Sequence, residues 1–231
     1  MDAKTGKIVS AEALVRWFHE QKGFISPGQF IPALEKGGYI SELDRYMIEK
    51  VTGCLDQRRA EKKRFVPVSV NLSWMDFYDE NMLEWIVRGL KKNNPNEQKI
   101  RFEITETSLA AIGENHTRML MHLKENGAEI LLDDFGNGYS SFGMLQDYDF
   151  DILKMDISFV RNIGVNKKSE SILRAIIDMA HQLGIRLVAE GAETEEQVAF
   201  LRANGCDYIQ GYYYYKPMPE NEFLQLLDEG K

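Results

Sequence analysis

Acidic side chains recur at the carboxyl ends of short apolar segments along this chain of 231 residues. Five acids share this placement: Glu12, Glu103, Asp133, Asp134 and Glu190. A buried carboxylate is costly unless it is paired or bound to a cation, so acids that converge on one place would repel each other strongly. The sequence therefore predicts a cation site built from the ends of strands.

A carboxamide completes this set of oxygen ligands. In Val66–Asn71 the valines alternate with Ser69 and Asn71, so we expect Asn71 to face the interior of the sheet near its carboxyl end. A set of oxygen donors without His or Cys favours Mg²⁺ or Mn²⁺ over Zn²⁺. Six such ligands can hold two adjacent ions that share one bridging carboxylate, an arrangement suited to in-line displacement at a phosphoester.

Each of these features has a simpler interpretation when taken alone. A single acid at a strand end most often caps the next helix, which would account for Asp134 but not for the whole set. Lys154 and Asp156 share one face of a strand, where they could form a structural ion pair. The Gly-rich segment 134–141 is by itself most often a tight turn, although the acids before it favour a mobile active-site loop. The four tyrosines at 212–215 fill a core more readily than they form a stacking platform.

The elements that must position these residues alternate between strand and helix. Seven short apolar runs predict strands, at 7–17, 65–72, 99–106, 128–134, 150–156, 185–190 and 207–211. Helical stripes lie between them, so the order predicts a parallel sheet, one β-α unit short of an eight-stranded barrel. Helix starts are predicted at Ser26 before a proline, at Thr194 with Gln197, and at Pro219.

Composition narrows the class of protein. The 28 basic and 36 acidic residues give a net charge of −8, which argues against binding to DNA, RNA or an anionic membrane. The two cysteines, Cys54 and Cys206, are too few for a disulfide scaffold and are expected to be reduced. Neither a signal peptide nor a membrane-spanning run is evident, so we expect a cytoplasmic chain. With no linker or repeat, residues 1–231 are expected to form one domain.

Ordered motifs along the whole chain resemble one known family. They are Glu12-Ala13-Leu14-Val15-Arg16-Trp17, Ser69-Val70-Asn71-Leu72-Ser73, Glu103-Ile104-Thr105-Glu106, Asp133-Asp134-Phe135-Gly136, Lys154-Met155-Asp156, Ala189-Glu190-Gly191-Ala192-Glu193-Thr194 and Gln210-Gly211-Tyr212. Their types and order resemble the EAL domain, the family of cyclic di-GMP phosphodiesterases. The resemblance implies a TIM-like (β/α)₈ barrel and the hydrolysis of cyclic di-GMP to linear pGpG with two Mg²⁺ or Mn²⁺ ions.

The resemblance also implies roles for individual residues. Glu12, Asn71, Glu103 and Asp133 would hold one ion, and Asp133, Asp134 and Glu190 the other. Lys154 would orient the attacking water, and the residues implied as catalytic are Glu12, Asp133, Lys154 and Glu190. Glu106 would brace the loop after Asp134. The residues implied to contact substrate directly or to support it are Leu14, Arg16, Asp156, Glu193 and Gln210.

Some expectations concern what lies around this domain. Family members normally carry another strand, with a Gln-Pro pair, just before the segment Asp2–Gly6, and it is absent from this chain. We therefore expect an open sheet edge here and a longer protein with an upstream sensory or GGDEF domain. A homodimer is implied through the loop after Asp134. A catalytically silent cyclic di-GMP receptor is the alternative, although no acidic position is lost; Ser10, Asn137 and Ala192 are the departures from the usual pattern.

Overall fold

A curled sheet of seven parallel strands forms the centre of the molecule, and helices cover its outer face. The computed structural model describes residues 1–92, 100–112, 117–136 and 141–230. The strands in chain order are β1 Ala11–Glu12, β2 Trp17–His19, β3 Gly23–Ile25, β4 Val68–Asn71, β5 Ile100–Thr105, β6 Glu129–Phe135, β7 Ile152–Met155, β8 Arg186–Glu190 and β9 Tyr208–Gln210.

Ten α-helices and one 3₁₀ helix are assigned in the described ranges. The α-helices are α1 Pro27–Gly37, α2 Ile40–Ala60, α3 Glu80–Lys92, α4 Glu106–Ile112, α5 Thr117–Glu125, α6 Ser141–Asp147, α7 Ile157–Arg161, α8 Lys167–Gln182, α9 Glu195–Ala203 and α10 Glu220–Asp228. The 3₁₀ helix, Trp74–Tyr78, follows β4. Thr194 and Gln197 form the predicted capping box of α9, and Pro219 precedes α10 as expected. No helix within these ranges combines the length and the apolar character needed to cross a membrane.

The strand order explains how the acids come together. The parallel sheet runs β1-β4-β5-β6-β7-β8-β9, so consecutive strands are neighbours and their carboxyl ends share one rim. Along β6, Ile130 and Leu132 pack in the core beneath the helices, whereas Leu131 packs with Ile152 and Val188 inside the curled sheet. This alternation confirms the predicted barrel-like fold with a helix-facing side and a lumen side.

The sheet is open between β1 and β9, which are its two edge strands. Residues Met1–Ala3 run antiparallel to β9, where the backbone N–H of Ala3 donates to Asp207 and that of Ile209 donates to Met1. A cavity of about 900 Å³ enters the lumen through this opening and reaches Leu131 and Ile152. The opening expected from the count of seven units is thus present in the described residues, although Met1–Ala3 pair with part of the β9 edge.

The first predicted strand is the clearest error in the sequence-based elements. Instead of spanning 7–17, it is limited to β1, and residues 17–25 form the antiparallel hairpin β2–β3. The apolar alternation through Val15 and Trp17 continues past the sheet rim, and periodicity alone does not show where the chain leaves the sheet. Gly23, with φ of 69°, supplies the left-handed turn that closes the hairpin. The predicted strand 99–106 begins at Ile100, and Lys99 lies outside the described residues.

Candidate active site

The carboxyl ends of the strands direct polar side chains to one end of the lumen. Glu103 shows why: its neighbours Phe102 and Ile104 are fully buried on the helix side of β5, so Glu103 faces inward. Asn71 pairs in register with Glu103, and Glu190 pairs with Gln210. The strands therefore bring most of the predicted site residues to one rim, as strand alternation requires.

Lys154 lies at the centre of the carboxylates and is only 2% exposed. Its ammonium Nζ is 2.6 Å from Glu103 Oε2 and 2.8 Å from Glu190 Oε1. It is also 3.2 Å from Asp133 Oδ1 and 3.4 Å from Glu12 Oε2. One buried ammonium thus contacts four carboxylates from four strands. We call Lys154 and these four acids the lysine cluster.

The charges within the lysine cluster do not balance. Burial raises the pKa of Glu103 to about 8, and the charges of Glu12 and Asp133 add to the rise while Lys154 opposes it. Burial likewise raises the pKa of Glu190 to about 7. Burial alone would lower the pKa of Lys154, but Glu103 and the other acids raise it well above its usual value, so it stays charged. The cluster carries more negative charge than one lysine neutralises.

Asp134 adopts an unusual backbone conformation at the end of the site. Its φ of 58° lies in the left-handed region, which is uncommon for a residue other than glycine. Its backbone N–H donates to Asp133 Oδ1 at 2.9 Å, and the β6–β7 register shifts between Leu132 and Phe135. Burial and the neighbouring Asp133 raise the pKa of the Asp134 carboxyl. Strain held next to clustered carboxylates is typical of a functional site.

The donor chemistry suits a hard divalent cation even though the acids converge on Lys154. Among the described residues, no three acidic, histidine or cysteine side chains are arranged to hold a metal ion directly. The acids of the rim are nevertheless oxygen donors with a surplus of negative charge and raised pKa values, which a divalent cation would relieve. Asn71, exposed beside Glu103, adds a neutral oxygen donor.

The residues expected near substrate lie around the mouth of the cavity. Leu14, Arg16 and Gln210 line it together with Glu12 and Lys154. The side chain of Gln210 donates to Glu12 Oε2 at 2.8 Å, which links the open edge strand β9 to the lysine cluster. The Arg16 side chain is exposed and donates to the carbonyl oxygen of Val15.

The remaining predicted residues lie at the ends of helices and loops around the rim. Asp156 caps α7 by accepting the N–H of Ser158 at 2.8 Å. Glu106 is 3% exposed and accepts the N–H of Gly136 at 3.3 Å, so it contacts the start of the Gly-rich segment. Residues 137–140 of that segment lie outside the described residues. Glu193 is exposed in the turn between β8 and α9.

Sequence reasoning missed two features around the site. The hairpin places Phe18, 74% exposed, and Phe24, 53% exposed, beside the cavity, with their ring centroids 5.5 Å apart. Two aromatic residues either side of a Gly-containing turn are the signal that could have found this hairpin. The second is a pair of buried acids, Asp44 and Asp76, below the end of β4. No short motif marks them, because they come from different elements.

Comparisons with known proteins agree with this geometry. The family model of the EAL domain matches residues 1–217. A cyclic di-GMP phosphodiesterase of Pseudomonas aeruginosa, PA2567, is 36% identical over 220 residues, which cover 94% of this chain and 37% of that protein. The structure of the EAL enzyme Bd1971 in its cAMP- and cyclic-di-GMP-bound form superposes with a TM-score of 0.87 at 29% identity, covering 98% of this chain and 62% of that one.

This chain also matches a second solved structure over most of that structure's length. An EAL domain protein from Listeria monocytogenes gives a TM-score of 0.84 at 30% identity, over 97% of this chain and 87% of that one. The curated relatives are longer, because this chain spans only 26% to 37% of the length of the first three that it matches.

Proposed function

Because this chain belongs to the EAL domain family, we propose that it hydrolyses one phosphodiester bond of cyclic di-GMP to give linear pGpG. The observation that carries the proposal is the lysine cluster, a surplus of carboxylates at the carboxyl rim of a barrel-like sheet. Relatives named as cyclic di-GMP phosphodiesterases, and a neighbouring structure described as a cyclic di-GMP complex, support the same substrate.

We propose that the residues at the rim hold two Mg²⁺ or Mn²⁺ ions. We assign Glu12, Asn71, Glu103 and Asp133 to one ion, and Asp133, Asp134 and Glu190 to the other. The ions, when bound, would lower the pKa of a bound water and stabilise charge on the phosphate oxygens.

The chain's own residues position the substrate and the attacking water. Lys154 remains protonated among its acids, so it can orient the water and offset charge on the phosphate. Arg16, exposed at the cavity mouth, is assigned to a phosphate oxygen of the substrate. We assign four other residues to the binding and support of the dinucleotide: Leu14, Asp156, Glu193 and Gln210. Glu106 is assigned to bracing the segment that follows Asp134, through its bond from Gly136.

The proposal extends to the protein in which this domain works. We infer that residues 1–231 form a single domain of a longer cytoplasmic signalling protein, with a sensory or GGDEF domain upstream. We also infer a homodimer through the segment after Asp134. These inferences rest on the family and on the length of the relatives.

Chromatography of cyclic di-GMP incubated with the protein tests the proposed function. We expect pGpG to form with Mg²⁺ or Mn²⁺ and not with a chelator. Asp133→Asn, which removes the charge of the bridging acid, should lower turnover by roughly 1,000-fold while the circular dichroism spectrum stays unchanged. Asp149→Asn is the matched control, because Asp149 is an exposed acid paired with Lys124 away from the rim.

Two outcomes would overturn the proposal. Near-normal turnover of Asp133→Asn, with Asp149→Asn also normal, would contradict the assignment of Asp133 to the ions. Tight binding of cyclic di-GMP without any product in either metal would favour the receptor alternative over an enzyme.

A further inference from the structure

Two buried carboxyl groups lie outside the lysine cluster and close to the end of β4. Asp44 in α2 is 6% exposed, and Asp76 in the 3₁₀ helix is fully buried. Asp44 Oδ2 and Asp76 Oδ2 are each 3.0 Å from the backbone nitrogen of Ser73. Both carboxyl groups therefore accept the same N–H. We call Asp44 and Asp76 the acid pair.

The surroundings of the acid pair favour one proton shared between the two groups. Burial raises the pKa of Asp44 to about 9, and the charge of Asp76 adds to the rise. Burial also raises the pKa of Asp76, where the side chains of Asp44 and Ser41 act in the opposite direction. Glu35 and Asp79 face the pair with further negative charge. The raised pKa of Asp44 therefore favours its protonated form at neutral pH, hydrogen-bonded to the side chain of Asp76.

The N–H held by the acid pair lies two residues beyond Asn71. The N–H of Leu72 donates to the carbonyl oxygen of Glu103 at 2.9 Å, which extends the β4–β5 pairing past Asn71. Ser73 then caps the 3₁₀ helix, where its Oγ accepts the N–H of Met75 and Asp76 completes a capping box. The end of β4 is therefore fixed locally by Asp76 and tied across to α2 by Asp44.

We propose that Asp44 and Asp76 are positioning residues for the active site: by accepting one shared N–H from Ser73 they fix the end of β4, and with it the Asn71 carboxamide beside Glu103. The inference rests on the proposed function insofar as Asn71 is assigned to a metal ion. Groups that orient a ligand are worth a factor of about 10 to 100 in metal affinity when they are lost. Neither acid contacts the ion or the substrate in this proposal.

Mn²⁺ affinity, measured by calorimetry without substrate, provides the first test. Asp44→Asn keeps an oxygen that accepts from Ser73 and an N–H that donates to Asp76, as the protonated acid does. We expect it to bind Mn²⁺ within about twofold of wild type, whereas Asp44→Ala should bind about 10-fold more weakly. Glu42→Ala, at an exposed acid of the same helix, is the matched control and should bind as wild type does.

Hydrogen exchange of the Ser73 amide, followed in metal-free protein, provides a second test that does not depend on metal binding. We expect exchange to be faster in Asp44→Ala than in wild type, and restored in Asp44→Asn. If Asp44→Ala does not fold, Asp44→Leu replaces it, because leucine keeps the buried volume and removes the acceptor. Unchanged exchange and unchanged Mn²⁺ affinity in the folded variant would overturn the proposal.

Asn71→Ala separates this inference from the proposed function. If Asn71→Ala binds Mn²⁺ as wild type does, the assignment of Asn71 to the ion fails, and Ser73 exchange alone decides whether the acid pair fixes β4. If Asn71→Ala binds weakly while folded Asp44→Ala binds normally, the positioning role is overturned and the metal assignment stands.

Discussion

The molecule buries acidic groups in two places and offsets their negative charge in two different ways. In the lysine cluster four carboxylates surround the ammonium of Lys154. In the acid pair no cation is in contact among the interactions described; burial and Asp76 raise the pKa of Asp44 to about 9, and the Ser73 N–H is accepted by both groups. Both arrangements meet the cost of burying acidic groups, but only the first places a charged ammonium among them.

The lysine cluster and the acid pair also differ in their access to solvent. In the lysine cluster the side chain of Glu12 is 13% exposed and that of Glu190 is 21% exposed at the cavity. The acid pair is closed, because Asp76 has no exposed surface and Asp44 very little. The lysine cluster is therefore reached from the cavity, whereas the acid pair is closed to solvent. This difference supports the proposed catalytic role of the lysine cluster and the proposed positioning role of the acid pair.

Replacing Lys154 should have the largest effect on stability. It tests whether the lysine cluster depends on its buried ammonium. Lys154→Met leaves four carboxylates around an apolar side chain, so we expect the free energy of unfolding in metal-free buffer to fall by about 3 kcal/mol. Mn²⁺ should restore most of that loss, because divalent ions replace the missing positive charge. Urea unfolding with a chelator and with Mn²⁺ measures both quantities.

Lys124→Met is the matched control for that experiment. Lys124 also contacts two acids, Asp149 at 2.8 Å and Asp151 at 3.2 Å, but in a more exposed place. We expect it to lose no more than about 1 kcal/mol, with no response to Mn²⁺. Equal losses in Lys124→Met and Lys154→Met would show that the lysine cluster has no special dependence on its cation.

Much of the fold could be predicted because its periodicity is strong. The parallel strands after β1 are buried on the helix side, and their apolar runs mark them with boundaries within a few residues of those observed. The first strand was predicted too long because apolar alternation continued into the hairpin β2–β3. Local sequence patterns record burial on one face of a strand, but they do not record which neighbour that strand pairs with.

The candidate site was predictable to a similar extent and for a related reason. Acids at strand ends face the lumen because side chains alternate along a strand. The position of Glu103 and Glu190 at the lumen rim could therefore be predicted from the sequence alone. That Lys154 contacts four of these acids at once depends on the curvature of the sheet, which sequence does not give. The acid pair could not be predicted, because Asp44 and Asp76 meet through the packing of a helix against a turn 32 residues away.

Raising the pH should produce an intermediate effect and tests the proton in the acid pair. The pKa of Asp44 is raised in the folded protein to about 9, above the ordinary 3.8. Folded protein therefore holds more protons than unfolded protein between these values, and this contribution to stability is lost as the pH rises through about 9. Relative to Asp44→Asn, we expect wild type to lose about 1 kcal/mol or more between pH 7 and pH 9.5.

Urea unfolding of both proteins at the two pH values makes the comparison. Wild type and Asp44→Asn both contain Glu103 and Glu190, so the contributions of these two acids cancel when the two losses are subtracted. The remaining difference in the loss of stability is due to Asp44. Parallel losses in wild type and Asp44→Asn would mean that the acid pair is not held by a proton, and the contrast with the lysine cluster would fail.

Replacing Gln210 should give the smallest effect, because its bond lies at the open side of the lysine cluster. Gln210 donates to Glu12 Oε2 at 2.8 Å from an exposed position, so water can replace its amide in Gln210→Ala. We expect a change of at most about 0.5 kcal/mol in the free energy of unfolding and less than about fivefold in Mn²⁺ affinity. Water cannot enter the closed acid pair in the same way, so Asp44→Ala should lower both the free energy of unfolding and the Mn²⁺ affinity by more.

Gln210→Glu is a useful companion variant because it adds a carboxylate to the lysine cluster. It should lower the free energy of unfolding in metal-free buffer, and Mn²⁺ should reverse that loss. A loss in Gln210→Ala that exceeds the loss in Asp44→Ala would reverse the order of the two regions, and exposure would no longer explain the difference between them.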